Sequence, residues 1–252
     1  MAKNFLCLND DKTEVLLIGS KFAQQKPNIP HISIGDEKIV PSKDAKNIGF
    51  VFDHIMDCKK QISLTCKSGW YHFRNIGRIR HYLDRKSTER LVHAFITSRL
   101  DINNSLYVGL PDTLLSKLQR LQNAAARLIV KLPKHSHITP TLMDLHWLPV
   151  NQRITFKILL TVFKALNGLS PVYIEELLST KPVSSRSMRS DNKSLLVVPT
   201  ATRSATATYG DRNFRFVGPS LWNKLPVAIR NCDTIDLFKQ HLKTHLFREA
   251  FY

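Results

Sequence analysis

The spacing of apolar residues changes near residue 54 from a short-range alternation to a helical period. Before it, KTEVLLIG (12–19) reads as an apolar strand closed by Gly19. PHISIGDEKIVPS (30–42) alternates through His31-Ile32-Ser33-Ile34, turns at Gly35-Asp36 and returns along Lys38-Ile39-Val40, the pattern of a hairpin. NIGFVFD (47–53) reads as a third strand, with Gly49 marking a bulge or a close backbone approach. A sheet fragment this small does not stand alone. Beyond residue 54, Ile62, Cys66, Gly69, Phe73 and Ile76 fall on one face of a helix. Ser87 is placed to cap a second helix carrying Leu91, Val92, Phe95, Ile96 and Leu100. A third follows Pro111-Asp112, with Leu114, Leu118, Leu121, Ala125, Leu128 and Ile129 on one side. Thr139-Pro140 and Ser170-Pro171 read as capped helix starts, and 153–168 as an apolar helix stopped by Gly168.

From residue 179 to 208, twelve positions are Ser or Thr, interrupted by Pro182 and Pro199, which reads as a linker. After it, NFRFVGPSLWNKLP (213–226) looks irregular and aromatic-anchored, and Asp233 or Thr234 caps a closing helix with Ile235, Phe238, Leu242 and Leu246. The expected class is α+β, mainly α: a β fragment over 1–53, a helical region over 54–178, the linker over 179–208, and a C-terminal segment over 209–252 that docks on the helices. About 44 residues with that much apolar surface do not fold alone.

Charge narrows the function. Lys and Arg number 37 against 20 Asp and Glu, a formal net charge of +17, which favours polyanionic partners. A run of ~18 apolar residues is absent, and MAKNFLCLNDDKTE has no signal-peptide character, so the expected setting is intracellular, nucleus or cytoplasm, away from membranes. Cys7, Cys58, Cys66 and Cys232 are irregularly spaced and read as free thiols.

The segment around 60–85 is the most informative. Opposite its apolar stripe run Lys60, Lys67, Tyr71, Arg74, Arg78, Tyr82 and Arg85. Residues 67–99 hold eight Lys and Arg against only Asp84 and Glu89, whereas an ordinary solvated face mixes signs. Cations neutralise phosphates and the tyrosine rings pack on sugars or bases. A second patch, Lys117, Arg120, Arg127 and Lys131, lies on one flank of the third helix, and no acid occurs between 113 and 137. The acid pairs Asp10-Asp11, Asp36-Glu37 and Glu175-Glu176 lack a convergent third carboxylate. The pairs His135/His137 and His241/His245 lack a third ligand. Phosphate-loop, dinucleotide and nucleophile-elbow signatures are absent. No catalytic residue and no metal site is expected, nor a small-molecule ligand.

The strings LNDDKTEVLLIG (8–19), AKNIGFVFD (45–53), CKSGWYHFRNIGRIRHYL (66–83), LVHAFITSRLDINNSLYVGLP (91–111), KLQRLQNAAARLI (117–129), HITPTLMDLHWLPVNQRITFKILLTVFKALNGLSPVYI (137–174), VGPSLWNKLP (217–226) and FKQHLKTHLF (238–247) occur in that order. Together they resemble the C-terminal part of the reverse transcriptase of non-LTR, LINE-type (Jockey/CR1/L2-like) retrotransposons. The resemblance implies that Lys12 sits near the incoming nucleotide and that Asn47, Ile48, Gly49 and Phe50 belong to a primer-grip strand at the end of the palm. It implies a thumb from about 54 to 131 that lies on an RNA–DNA primer–template duplex, which agrees with the basic stripes, and the chain is expected to bind nucleic acid without sequence preference through Lys67, Tyr71, Arg74, Arg78, Arg85, Arg120, Arg127 and Lys131. The family polymerises with Mg²⁺ held at an aromatic-x-Asp-Asp turn upstream of the KTE string. Only eleven residues precede Lys12 here and none forms that turn, so these residues are expected to be inactive as a polymerase alone, with no cofactor of their own. The alternative reading is a repurposed helical protein-interaction module.

Overall fold

A computed structural model describes residues 9, 12–19, 30–34, 37–180, 195–199 and 212–252. The fold is α+β and mainly α, with two small antiparallel two-stranded sheets near the N-terminus. The chain forms two compact units, residues 1–68 and 69–252. The expected linker of 179–208 lies largely outside the described residues, as do Cys7, Asp10-Asp11 and the Gly35-Asp36 turn.

In the first unit, β1 (Ile32–Ile34) pairs with β2 (Glu37–Ile39), Ile34 opposite Glu37. β3 (Asp44–Asn47) pairs with β4 (Phe50–Asp53), Asn47 opposite Phe50. The single strand expected over 47–53 is therefore two strand ends joined by Ile48 and Gly49, whose φ angles are 47° and 78°. Two central residues at positive φ are the turn that matches strand twist in a tight hairpin, and Gly49 supplies one at no steric cost. A Cβ on Gly49 would meet nothing within 4 Å, so the glycine marks a turn and neither a bulge nor a close approach. Residues 12–19 do not form the expected strand; Leu16 makes one parallel bridge to Ser42.

Phe50 and Ile62 are fully buried. The buried Asp53 carboxylate accepts from the backbone N–H groups of Ile55, Asp57 and Cys58 (3.2, 2.9 and 2.8 Å), which fixes the chain as it leaves β4. Two-stranded sheets with open edges are marginal, and Ile18 and Val40 remain 56% and 70% exposed. Amides of 32–53 should therefore exchange faster than those of 114–129 by about two orders of magnitude. Equal protection in a hydrogen-exchange experiment would show that the first unit is as stable as the helical core.

A long helix, α1 (Lys59–Ile79), leads from the first unit into the second. It runs through Gly77 without a break and ends in a 3₁₀ turn, Arg80–Tyr82. Asp84, rather than Ser87, caps α2 (Arg85–Val92): its carboxylate accepts from Ser87 N–H at 2.8 Å, the usual geometry of an acid one residue before the helix. A π-helical turn, His93–Thr97, and α3 (Ser98–Asp101) continue it. Then come α4 (Asp112–Val130), α5 (Thr139–Asp144), α6 (Val150–Leu166) and α7 (Val172–Glu175). Neither α5 nor α7 has a side-chain cap; Pro140 is the second residue of α5 and Pro171 the N-cap of α7, so neither takes the expected first helical position. Gly168, at φ 63°, ends α6.

Beyond the linker lie α8 (Phe214–Lys224), α9 (Val227–Arg230) and α10 (Ile235–Phe251), the last capped by Thr234. The irregular reading of 213–226 is thus corrected to a helix, with Pro219 inside it. Gly218 explains the Gly-Pro pair: a Cβ there would lie 3.1 Å from Val162 Cγ2, so its absence lets α8 approach α6 closely. Trp222, Phe238, Leu242 and Leu246 bury against Leu159, Val162 and Phe163 of α6, and the Phe163 and Phe238 rings stack at 4.2 Å. Asn223 clamps Leu196 by both its backbone groups (2.9 and 2.8 Å). The C-terminal helices therefore share one core with α6.

Candidate nucleic-acid interface

In the second unit, α1 and α4 lie side by side. A Cβ on Gly69 would sit 2.3 Å from Leu121 Cδ2, and one on Gly77 would be 4.0 Å from Leu128 Cδ1. The contact rows advance together, so the two helices run in the same direction. At ~100° per residue, Tyr71, Arg74 and Arg78 are rotated about 130° from that contact line on α1. Arg120, Arg127 and Lys131 are rotated about 90° the other way on α4. For parallel neighbours, opposite rotations open on the same side of the pair. Two stripes far apart in sequence thus become one basic surface.

The residues on it are not equivalent. Tyr71, Arg74 and Arg78 are exposed, and among the described residues neither arginine makes a hydrogen bond or ion pair. Lys131 is exposed and ends α4 in the left-handed region, at φ 57°. Lys117 is exposed, and Arg120 donates only to Ser116 O in its own helix (3.3 Å). Arg127 is half-buried and donates to Ser136 O from Nε and an Nη (3.3 and 3.0 Å), holding the chain after α4 against the helix. Arg85 pairs with Asp144, so its charge is largely compensated. Lys67 is exposed on the part of α1 that belongs to the first unit. Lys12 and the hairpin tip Asn47, Ile48 and Gly49 are also in that unit and exposed, Ile48 to 89%, while Phe50 is buried.

Arg80, adjacent to the stripe in sequence, is buried. Its Nε and an Nη donate to Leu128 O and Ile129 O (2.8 and 2.7 Å), and its other Nη donates to Leu83 O (2.7 Å). The last carbonyls of α4 have no partner within the helix, and a guanidinium fork satisfies two at once. The only advance signal for this role was its place off the polar stripe.

His72 shows how the surface is backed. Arg99 donates to His72 Nε2 at 3.2 Å, and the ring stacks on Phe95 at 5.1 Å. An arginine only donates, so the imidazole is neutral. Burial, then the Arg99 charge, lowers its pKa from 6.5. The unfolded chain therefore binds the extra proton first. His72 contributes fully above about pH 6.5 and loses its contribution as pH falls below it. Urea midpoints measured from pH 7.5 to 5 should decline less in His72→Gln than in wild type; identical declines would contradict this.

Among the described residues no group of His, Cys, Asp and Glu is placed to hold a metal ion, and no helix is long and apolar enough to cross a membrane. Cys232 lies 3.5 Å from His241 Nδ1, but burial, aided by Asp233, pushes the thiol pKa up, the opposite of an activated nucleophile. Compared with protein-family models, curated proteins and solved structures, the chain finds no match in any of the three.

Proposed function

We propose that this chain is the end-of-palm, thumb and C-terminal part of a LINE-type reverse transcriptase, acting as a surface for the sugar–phosphate backbone of a primer–template duplex. The observation that carries this reading is the acid-poor face on which Tyr71, Arg74 and Arg78 stand exposed, with Arg120 and Lys131 turned to the same side. Cations that make no ion pair with their own chain remain free for phosphates, and the planar guanidinium can meet one with two parallel N–H donors. Contacts of this kind fall on the sugar–phosphate backbone and carry no base information, so the affinity proposed is general. Binding is the function proposed for these residues, and chemistry would need the aspartate turn that the 252 residues do not carry. Mg²⁺ belongs to that turn in the family.

Counterion release makes the reading testable. For an RNA–DNA duplex, the logarithm of the binding constant should fall linearly with the logarithm of salt, with a slope of about −3 to −5 for four to five phosphates neutralised. Fluorescence anisotropy at stepped salt measures it. A slope near zero would favour the interaction-module reading, which draws on exposed Leu169, Val172 and Tyr173 at the start of α7 (56%, 66% and 66%).

A further inference from the structure

A cleft of about 350 Å³ opens in the second unit between α2, the end of α3, residues 145–148, α6 and α10. This is within the size range of small-ligand sites. Irregular backbone converges on it. Its wall includes His93, the first residue of the π-helical turn, His146, at φ 51°, and Asn104, the residue after left-handed Asn103. π-Turns and left-handed residues cost energy and gather at binding sites.

The polar groups have uneven loyalties. Arg153 and Asp101 form a two-pronged ion pair, and His93 Nε2 lies 3.5 Å from Glu89, so those groups have partners. Lys157 and Lys243, on α6 and α10, are exposed and make no ion pair among the described residues. Asn104 is 4% exposed. Its amide nitrogen makes one long hydrogen bond, 3.4 Å to Asp101, and its oxygen has no partner among the described residues. A buried acceptor left unpaired is costly. A small turn of the amide would offer it to an N–H donor in the cleft. Trp147 and Phe156 complete the wall, with the His93 and Trp147 rings 5.3 Å apart.

We propose that this cleft takes one nucleotide: its base, an N–H-bearing planar ring, against Trp147, Phe156 and His93 with Asn104 accepting, and its phosphate at Lys157 and Lys243. The choice of a nucleotide over another aromatic anion rests on the nucleic-acid reading. Arg85 and Glu89 are one helical turn apart on α2, so Arg85, paired with Asp144, stands on the same side of that helix as the cleft residue Glu89. The nucleotide is either a free monophosphate or one unit of a strand, and both present the same chemistry.

The test titrates the whole chain with AMP and with a five-residue oligoadenylate, following the Trp147 indole N–H signal in ¹H–¹⁵N spectra. Wild type is compared with Lys157→Glu/Lys243→Glu and with Arg74→Glu/Arg78→Glu, all exposed positions. The lysine pair should weaken the ligand that binds at Trp147 at least tenfold, and the arginine pair should leave AMP binding unchanged. AMP binding would identify a free-nucleotide site; oligoadenylate binding alone, lost in the lysine pair, would identify a strand unit. If neither ligand shifts Trp147, or the lysine pair leaves both affinities unchanged, the cleft proposal falls. Loss of oligoadenylate affinity only in the arginine pair, with no AMP binding at Trp147, would sink the cleft while leaving the basic-face reading intact.

Discussion

Arg74→Glu/Arg78→Glu should reduce affinity for an RNA–DNA duplex by about 50- to 100-fold near 0.1 M salt and make the salt slope shallower by about two. Each phosphate neutralised contributes close to one unit of slope, or about eightfold in affinity at that salt. Reversal adds repulsion to the lost attraction. The effect should be the same for duplexes of unrelated sequence, because phosphate contacts carry no base information. Arg85→Glu serves as the internal contrast. Its guanidinium is already paired with Asp144, so its loss should cost less than either half of the double variant. Unchanged duplex affinity in the Arg74/Arg78 variant would remove the basic face from function.

Arg80→Met should destabilise the folded chain by about 3–5 kcal/mol. Three carbonyls lose a charged donor, two of them at the C-terminal end of α4, inside a site where only 8% of Arg80 reaches solvent. Arg80→Lys should recover less than half, since one ammonium does not span two carbonyls in the fork geometry. Arg78→Met, two positions away and exposed, should change stability by no more than about 0.5 kcal/mol. Urea unfolding of the three variants reads this directly, and duplex affinity should rank Arg78 and Arg80 in the reverse order. An Arg80→Met chain as stable as wild type would mean that water replaces the guanidinium at no cost.

The contrast between those neighbours separates what is local from what is not. The turn from strands to helices, the apolar face of α1, the core face of α4 and the amphipathic α10 follow from periodicity, because burial repeats with the helix. So do the excess of cations and the scarcity of acids, which are sums over residues. Several local readings failed, the strand over 12–19 and the Ser87 cap among them. Asn-Ile-Gly was read as strand interior when its glycine makes a turn, and 213–226 was read as irregular when burial on α6 keeps it helical around Pro219.

Periodicity and composition suffice for the α+β, mainly α class, the placement of most helices and a basic, acid-poor segment. Which cations stay free depends on packing. Arg80 is taken up by carbonyls 48 and 49 residues away and Arg85 by an aspartate 59 residues away. The cleft walled by Asn104, Lys157 and Lys243 gathers residues from helices that no spacing rule connects. An arginine carries its charge wherever it falls, but whether it meets a carbonyl, a carboxylate or water is set by what packing brings beside it.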